Sequence, residues 1–496
     1  MIADQLPALQ IVIPMLSAPL CVLAKRPLAC WVIALVANVL VVITAWSMFL
    51  QVRSDGVIRY ELGGWAAPTG IEYYVDMMNA TMLLLVSFIS CVVLVYAYKS
   101  VNKSVITAKH YLFYAAWMLC LTGLLGMCIT GDAFNVFVFL EISSLSMYML
   151  IAFGNDKRAL TASFRYLIMG SIGASFILIG IGFLYAATGA LNMVDLAQRI
   201  PDAESERAVL VAFSFLTIGL MIKSAVFPLH GWLANAYQHS PIAVTAFLAG
   251  TATKVSLYVL LRFFFSIFGP NYSFGAMLLN VVLLPAAVAG FVLLSLVAIF
   301  QTDLRRMLAY SSVAQIGYII AAFCLASQSG LTAGIVHIIN HGIIKTALFM
   351  SVGCILYRVG HTHSPSLDNL FHKMPLTCIA FILSGLGLIG VPLTVGFVSK
   401  FSLISASMER GWWMVGALVL LSSLFAILYI GRVVEIMLFR KARNPVPVPI
   451  GRSEAPLMML IPMYVLIGVS IWFGVSGSTT LAVASEAAAA LLGGYQ

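Results

Sequence analysis

The chain is built from apolar runs about as long as a bilayer is thick, and this leaves it almost no choice of fold. A spanning helix needs roughly 20 predominantly apolar residues, and about 14 segments meet that requirement. They lie at 9–23, 31–50, 77–98, 111–129, 134–153, 167–187, 208–227, 243–265, 274–300, 308–325, 331–356, 376–404, 412–438 and 457–473. Backbone in hydrocarbon must satisfy its own hydrogen bonds, so such segments become helices. The expected fold class is an all-α integral membrane protein of about 14 transmembrane helices. Composition agrees: of 496 residues, 62% are hydrophobic and 9% charged, against about 25% charged in soluble domains. No loop is long enough to hold a separate catalytic domain.

A net charge of +9 would suit nucleic acid, but its placement argues for topology instead. Loops after odd-numbered spans carry Lys25 and Arg26; Lys99, Lys103 and Lys109; Lys157, Arg158 and Arg165; Arg305 and Arg306; Arg358 and Lys373; and Arg440, Lys441, Arg443 and Arg452. Loops after even-numbered spans hold only Arg53, Arg59, Arg199, Arg207, Arg262 and Arg410, several beside acids. The positive-inside rule then puts both termini on the outer side. Eight cysteines lie in or beside apolar spans with no C-x-x-C pair, and they read as small core residues. No cleavable signal stands out at the N-terminus, so the first run is expected to be a retained span.

Against this background the charges inside the spans matter most. Glu141 sits near the middle of FNVFVFLEISSLSMYMLIAF, and Lys223, Lys254, Lys345 and Lys400 also fall within hydrophobic spans. A charge at membrane depth costs roughly 3 kcal/mol even on lenient insertion scales, so each needs a partner or a task. A row of them is the signature of an ion path. Spans 7 and 12 each pair a lysine with a helix-breaking proline: Lys223 with Pro228, and Lys400 with Pro392. Proline removes a backbone donor and crowds the carbonyl four residues earlier, here Ser224 and Leu388. Such breaks are tolerated only where protein or a wet cavity satisfies the backbone. Matching breaks in two halves point to a transport site, although proline and glycine are common in membrane helices for blander reasons. An odd-numbered unit repeated in tandem must sit inverted. Spans 4–8 and 9–13 are therefore the expected inverted five-helix repeats, dividing the chain at 1–110, 111–267, 268–438 and 439–496.

Span 11 reads GIVHIINHGIIKTALF, which sets His337, His341 and Lys345 along one helix face. Imidazoles and an ammonium on an apolar helix suit a hydrated proton wire, because histidine titrates near neutral pH. A metal site and a purely structural hydrogen-bonding role are the alternatives. There is no H-E-x-x-H glutamate and no nearby Cys or Asp to support metal. Lys254 has Thr251, Thr253 and Ser256 nearby to hold water. Snorkelling fits it poorly, since Arg262 marks that helix end about 12 Å further on. Glu141 and Lys223 are candidate partners across spans 5 and 7. Asp76 and Asp132 begin spans 3 and 5 and are expected at the interface, and Arg432 is expected to pair locally with Glu435. No dinucleotide fingerprint, P-loop, haem or flavin signature occurs, so no cofactor and no metal are expected. The chain reads as a transporter subunit with no chemistry of its own, or a translocase subunit within a larger redox assembly.

Several long motifs carry a family resemblance: FLEISSLSMY, IKSAVFPLHGWLANAYQHSPIAVTAFLAGTATKVSLYVLLR, DLRRMLAYSSVAQIGY, HIINHGIIKTALF and GFVSKF. Through them the chain resembles the proton-translocating antiporter-like subunits of respiratory complex I, membrane-bound hydrogenases and Mrp-type Na⁺/H⁺ antiporters. The wording around Lys254 and Lys400 looks most like the D-type subunits of the Mrp group. The resemblance implies 14 helices and a charge pair of Glu141 with Lys223. It implies Lys254 as central proton carrier, a hydrated axis through His337 and His341, and Lys400 as exit-side carrier. It also implies a prokaryotic plasma (inner) membrane location, other membrane subunits as partners, and H⁺ as the transported ion, with Na⁺ the second ion considered. Two departures stand out. Asn235 replaces an acid common in the family, and the chain ends soon after span 14 in SEAAAALLGGYQ, without the lateral C-terminal helix of some complex I subunits. Three functions compete: antiporter subunit, proton-pumping subunit of a redox complex, and non-conducting scaffold.

Overall fold

Fourteen crossings account for nearly all of the molecule. The structure, a computed structural model, describes residues 3–203, 205–440 and 454–494, so Lys441, Arg443 and Arg452 lie outside the described residues. Three N-terminal helices, α1 (Leu6–Ala24), α2 (Pro27–Asp55) and α3 (Met77–Ser104), lead into the repeats. The first repeat comprises α4 (His110–Ile129), α5 (Ala133–Ala152) and α6 (Lys157–Thr188). After the short surface helix α7 (Met193–Arg199) it continues through α8 (Glu206–Lys223), α9 (Leu233–His239), α10 (Ile242–Gly250) and α11 (Ala252–Leu261). The second repeat runs through α12 (Leu279–Ile299), α13 (Leu304–Cys324) and α14 (Gln328–Val359). It ends with the short α15 (Leu370–Lys373), then α16 (Pro375–Ile389), α17 (Val395–Glu409) and α18 (Trp413–Leu438). Finally come α19 (Leu457–Val475) and α20 (Gly477–Leu492).

Among the described residues, twelve helices are long and apolar enough to cross a membrane by themselves. The other two crossings are the interrupted spans 7 and 12, made by α8 with α9 and by α16 with α17. The two five-helix units have matching neighbours. In the first, α4 packs on α5, α5 on α6 and α6 on α8; in the second, α12 packs on α13, α13 on α14 and α14 on α16 and α17. The central element is α14, which touches α3, α10, α13, α16, α17, α19 and α20 and is buried from Gly330 to Ile355.

Three features depart from the sequence reading. A two-stranded antiparallel hairpin, β1 (Ile58–Glu61) with β2 (Glu72–Val75), covers the face where α3 begins. Its buried Glu72 accepts a hydrogen bond from Asn192 Nδ2 at 2.8 Å, which fastens the hairpin to the N-cap of α7. The residues after span 14 form α20 against α14 and α3, with Ala484, Ala487 and Ala488 buried at helical spacing. Alanine is the best helix former and lets backbones approach closely. Lastly, span 8 is broken between α10 and α11 at Thr251, although no proline occurs there.

The interrupted spans are tightly specified. Each break holds one non-glycine residue in the left-handed region, Ala225 at φ 54° and Leu393 at φ 70°, a conformation that costs about 1–3 kcal/mol and persists only where surroundings impose it. Close packing imposes it in span 12: a Cβ on Gly396 would stand 1.8 Å from the Gly387 carbonyl oxygen. Gly396→Ala is predicted to destabilise the protein by about 1–3 kcal/mol through overpacking against backbone. Gly182→Ala, at a position with open space around it, should change stability by no more than about 0.5 kcal/mol. Thermal melts in detergent distinguish the two.

Candidate functional site: a buried row of lysines and histidines

Lys223, Lys254, His337, His341, Lys345 and Lys400 are all buried, and two of the lysines are held by carbonyls that helix breaks release. Where α16 stops at Ile389, the carbonyls of Leu388 and Ile389 have no helical partner, and Lys400 Nζ donates to both at 3.0 and 2.9 Å. It also donates to Ser423 Oγ on α18 at 3.1 Å and lies 5.2 Å from the Tyr318 ring centroid. At the break in span 8, Lys254 Nζ donates to Ala249 O at 2.5 Å and to Thr253 Oγ1 at 3.3 Å. A cation at a helix C-terminus is favoured by the unpaired carbonyls there. Both lysines are buried, Lys254 completely.

The remaining cations find different partners. Lys223 closes α8 and donates to Ser144 Oγ on α5 at 2.9 Å. Its ammonium stands 3.8 Å from Glu141 Oε1, an ion pair longer than a direct hydrogen bond, with the Glu141 side chain 30% exposed. Lys345 turns to α13, donating to Leu308 O at 2.9 Å and to Ser311 Oγ. At the break in span 7, the Phe227–Pro228 peptide bond is cis, and the Ile222 carbonyl accepts from Ala225 N at 3.2 Å and from Trp232 Nε1 at 3.0 Å.

Between the lysines of the two repeats run the imidazoles of α14. His337 Nδ1 and Ser399 Oγ share a hydrogen bond at 2.9 Å, and His337 Nε2 and Gln315 Oε1 another at 3.0 Å. The His337 and His341 rings are 6.1 Å apart, centroid to centroid, and near parallel. Neither ring nitrogen of His341 has a hydrogen-bond partner among the described residues. A buried polar group without a protein partner is a natural water site. Two side chains of α14 on either side of His341 also tie it to the broken spans. Thr346 Oγ1 reaches Ala246 O in α10 at 3.4 Å, and Asn340 Nδ2 donates to Val395 O in α17 at 2.6 Å.

Not every candidate joins this row. Thr251 Oγ1 and Ser256 Oγ turn back to Phe247 O and Ala252 O of their own helices, leaving Thr253 as the hydroxyl that touches Lys254. No group of three or more His, Cys, Asp or Glu side chains among the described residues could hold a metal. The charges expected at helix ends differ more. Asp76 and Asp132 do cap α3 and α5, yet both are buried. Arg262 is also buried, and its guanidinium donates to Asp76 Oδ1 at 2.5 Å, to Asn79, and to Tyr258 OH at 3.2 Å. It is thus an inward-held group and no surface marker. Arg432 forms no ion pair with Glu435; it donates to Ile299 O at 2.6 Å and to Gln301 O at the end of α12. Peptide carbonyls exposed where a helix ends are closer acceptors than a carboxylate on the outer face of the same helix. Gln315, Ser399 and Tyr318 were not singled out from the sequence, where a lone polar residue in an apolar span is a weak signal.

The family profile described as "NADH:quinone oxidoreductase/Mrp antiporter, TM" matches residues 130–426, from the start of α5 into α18. The N-type subunit of NADH-quinone oxidoreductase from Desulforudis audaxviator is 41% identical over 424 residues, covering 83% of this chain and 84% of its own. The D-type subunit of the Na(+)/H(+) antiporter from Bacillus subtilis is 28% identical over 485 residues, covering 98% and 96%. A chain of the Mrp complex from Dietzia sp. superposes with a TM-score of 0.90 at 27% identity, covering 99% of this chain and 98% of its own. A chain of the membrane-bound sulfane sulfur reductase, an archaeal respiratory membrane complex, superposes with a TM-score of 0.91 at 31% identity, covering 98% of each. Profile, relatives and fold agree, and the chain belongs to the NADH:quinone oxidoreductase/Mrp antiporter family of membrane subunits.

Proposed function

We propose that this chain is a proton-translocating subunit of a multisubunit Mrp-type Na⁺/H⁺ antiporter in a prokaryotic plasma membrane. Protons load Lys254, pass along His341 and His337, and leave from Lys400. The observation that carries this reading is the buried row itself: two lysines on broken helices, joined through imidazoles on one continuous helix. Proton relay requires groups that both accept and donate, and lysine, histidine and bound water supply them. The Glu141–Lys223 pair is the switch. Closed, it fixes a positive charge beside Glu141; opened, it frees that charge to act on Lys254 by Coulomb repulsion. Because basic loops crowd one face, that face is assigned to the cell interior and both termini to the outside. Residues 111–267 and 268–438 act as two half-paths, one in each repeat.

The antiporter assignment leans on the end-to-end match with the Bacillus subtilis antiporter chain and with the Dietzia Mrp chain. The higher identity to the Desulforudis oxidoreductase chain favours a second reading, a proton-pumping subunit of a complex I-like redox assembly. Both use the same row of residues and differ in partner subunits. A non-conducting scaffold is the third possibility.

Two outcomes test these assignments. Lys254→Ala in everted vesicles carrying the assembled complex should abolish cation/proton antiport. Full activity at matched assembly would make the chain a scaffold, whereas pumping with an electron donor in place of antiport would select the redox reading. The switch predicts that Glu141→Lys and Lys223→Glu each lower transport about tenfold or more, since each replaces an attraction by two like charges side by side. Combining them should restore part of the loss, measured in the same vesicles.

A further inference from the structure

The two arginines that depart from expectation occupy equivalent places. In span 8, Lys254 and Tyr258 of α11 and Arg262, which begins the helical turn just after it, follow one another at intervals of four. In α18, Ser423 receives Lys400, and Tyr429 and Arg432 follow toward the helix end. These are spans 8 and 13, the last helices of the two inverted repeats, so they run to opposite faces. Span 8 thus runs from a carrier lysine to a buried tyrosine to an arginine, and span 13 runs from the serine that holds Lys400 of α17 to a buried tyrosine to an arginine six residues before its end. Arg262 lies on the hairpin face; Arg432 lies on the face carrying Asp303 and the end of α14.

A cation at a helix C-terminus has a bland explanation in the helix dipole. Snorkelling arginines, however, carry their heads out to water. Arg262 does not. Its side chain is 2% exposed, and its guanidinium spans Tyr258, Asp76 and Asn79. Arg432 turns inward onto the last carbonyls of α12, and its Nε is buried. Guanidinium is chemically distinct from every other group in the row. It has five donors, no acceptor, and does not give up its proton in proteins. Tyr258 cannot bypass it, because its hydroxyl accepts from Arg262 and donates to Cys128 O at 3.4 Å. A relay reaching either arginine meets a fixed positive charge that takes no proton, a means by which pores exclude protons and cations.

The cavities fit the same polarity. A polar cavity of about 490 Å³ opens on the face opposite Arg262, between the ends of α3, α9 and α14 and the starts of α6, α10 and α13. Its wall at Ser240 shares a hydrogen bond with Thr245 Oγ1 at 2.7 Å, one helix short of Lys254. The first repeat is thus open on one face and barred on the other.

We propose that Arg262 and Arg432 are a pair of leak seals. Arg262 closes the first repeat at the hairpin face, and Arg432 closes the second repeat at the opposite face. A proton that enters one half can then leave only by crossing laterally to the other. This rests on the proton path proposed above. The test is passive proton leak in proteoliposomes of the whole complex, under an imposed pH gradient with potassium and valinomycin clamping the voltage. Asp76→Asn with Arg262→Gln keeps neutral hydrogen-bonding groups and removes both charges, and Arg432→Gln does so at the other mouth. Each should raise leak about tenfold, the effect of a modestly lowered barrier. The rescue should be crossed: Lys254→Ala cancels the leak through the first opening and Lys400→Ala that through the second, each without effect on the other. A merely structural disturbance would leak irrespective of which lysine is present. Unchanged leak, or leak insensitive to the lysines, overturns the proposal. If the Asp76/Arg262 variant fails to assemble, the variant at the partly buried Arg432 decides alone. Intact transport in Lys254→Ala by itself would instead overturn the proton path.

Discussion

Everything in this protein depends on how a broken helix is made tolerable in hydrocarbon. Interrupting a spanning helix exposes carbonyls that water cannot reach, and burying an ammonium there strips it of solvent. Either alone is expensive; together each supplies what the other lacks. Lys254 on the Ala249 carbonyl and Lys400 on those of Leu388 and Ile389 are two instances of one solution. The stabilisation is conditional on charge. An ammonium that gave up its proton would leave those carbonyls a weaker donor, which on the proposed path couples proton movement to backbone geometry at both breaks.

That coupling needs a rigid reference, and α14 provides it. This helix is uninterrupted and buried through its middle, and it reaches the first break through Thr346 and the second through Asn340. It also carries the imidazoles between them, so the parts that bend are spanned by the part that does not. The left-handed residues Ala225 and Leu393 mark where bending strain is concentrated.

Much of this was legible in the sequence because hydrocarbon is an unforgiving solvent. Span number, the lysines, and the proline breaks of spans 7 and 12 all follow from the cost of polar groups at depth. Other features were not legible, for identifiable reasons. The break at Thr251 follows Gly250, where a Cβ would meet Thr346 Oγ1 of α14 at 2.2 Å; a lone glycine in an apolar span is a weak signal, and the neighbour that needs it is far away in sequence. Arg262 looks like an interfacial arginine until Asp76 and Asn79, far away in sequence, are brought to it. Arg432 chooses carbonyls contributed by another helix over a carboxylate three residues away. The polyalanine stretch carries strong helix propensity but too few large apolar residues to read as a span, and its role emerges only against α14.

On the proposed path protons cross between the repeats along α14, where neither ring nitrogen of His341 has a partner among the described residues. Charge displacement on a solid-supported membrane, with the complex carrying His341→Leu, examines that crossing most directly. A proton jump should still give a brief transient as Lys254 loads, while sustained transport falls about tenfold or more, as expected when a required relay group is removed. Sustained transport at the wild-type rate in the assembled variant would contradict that path.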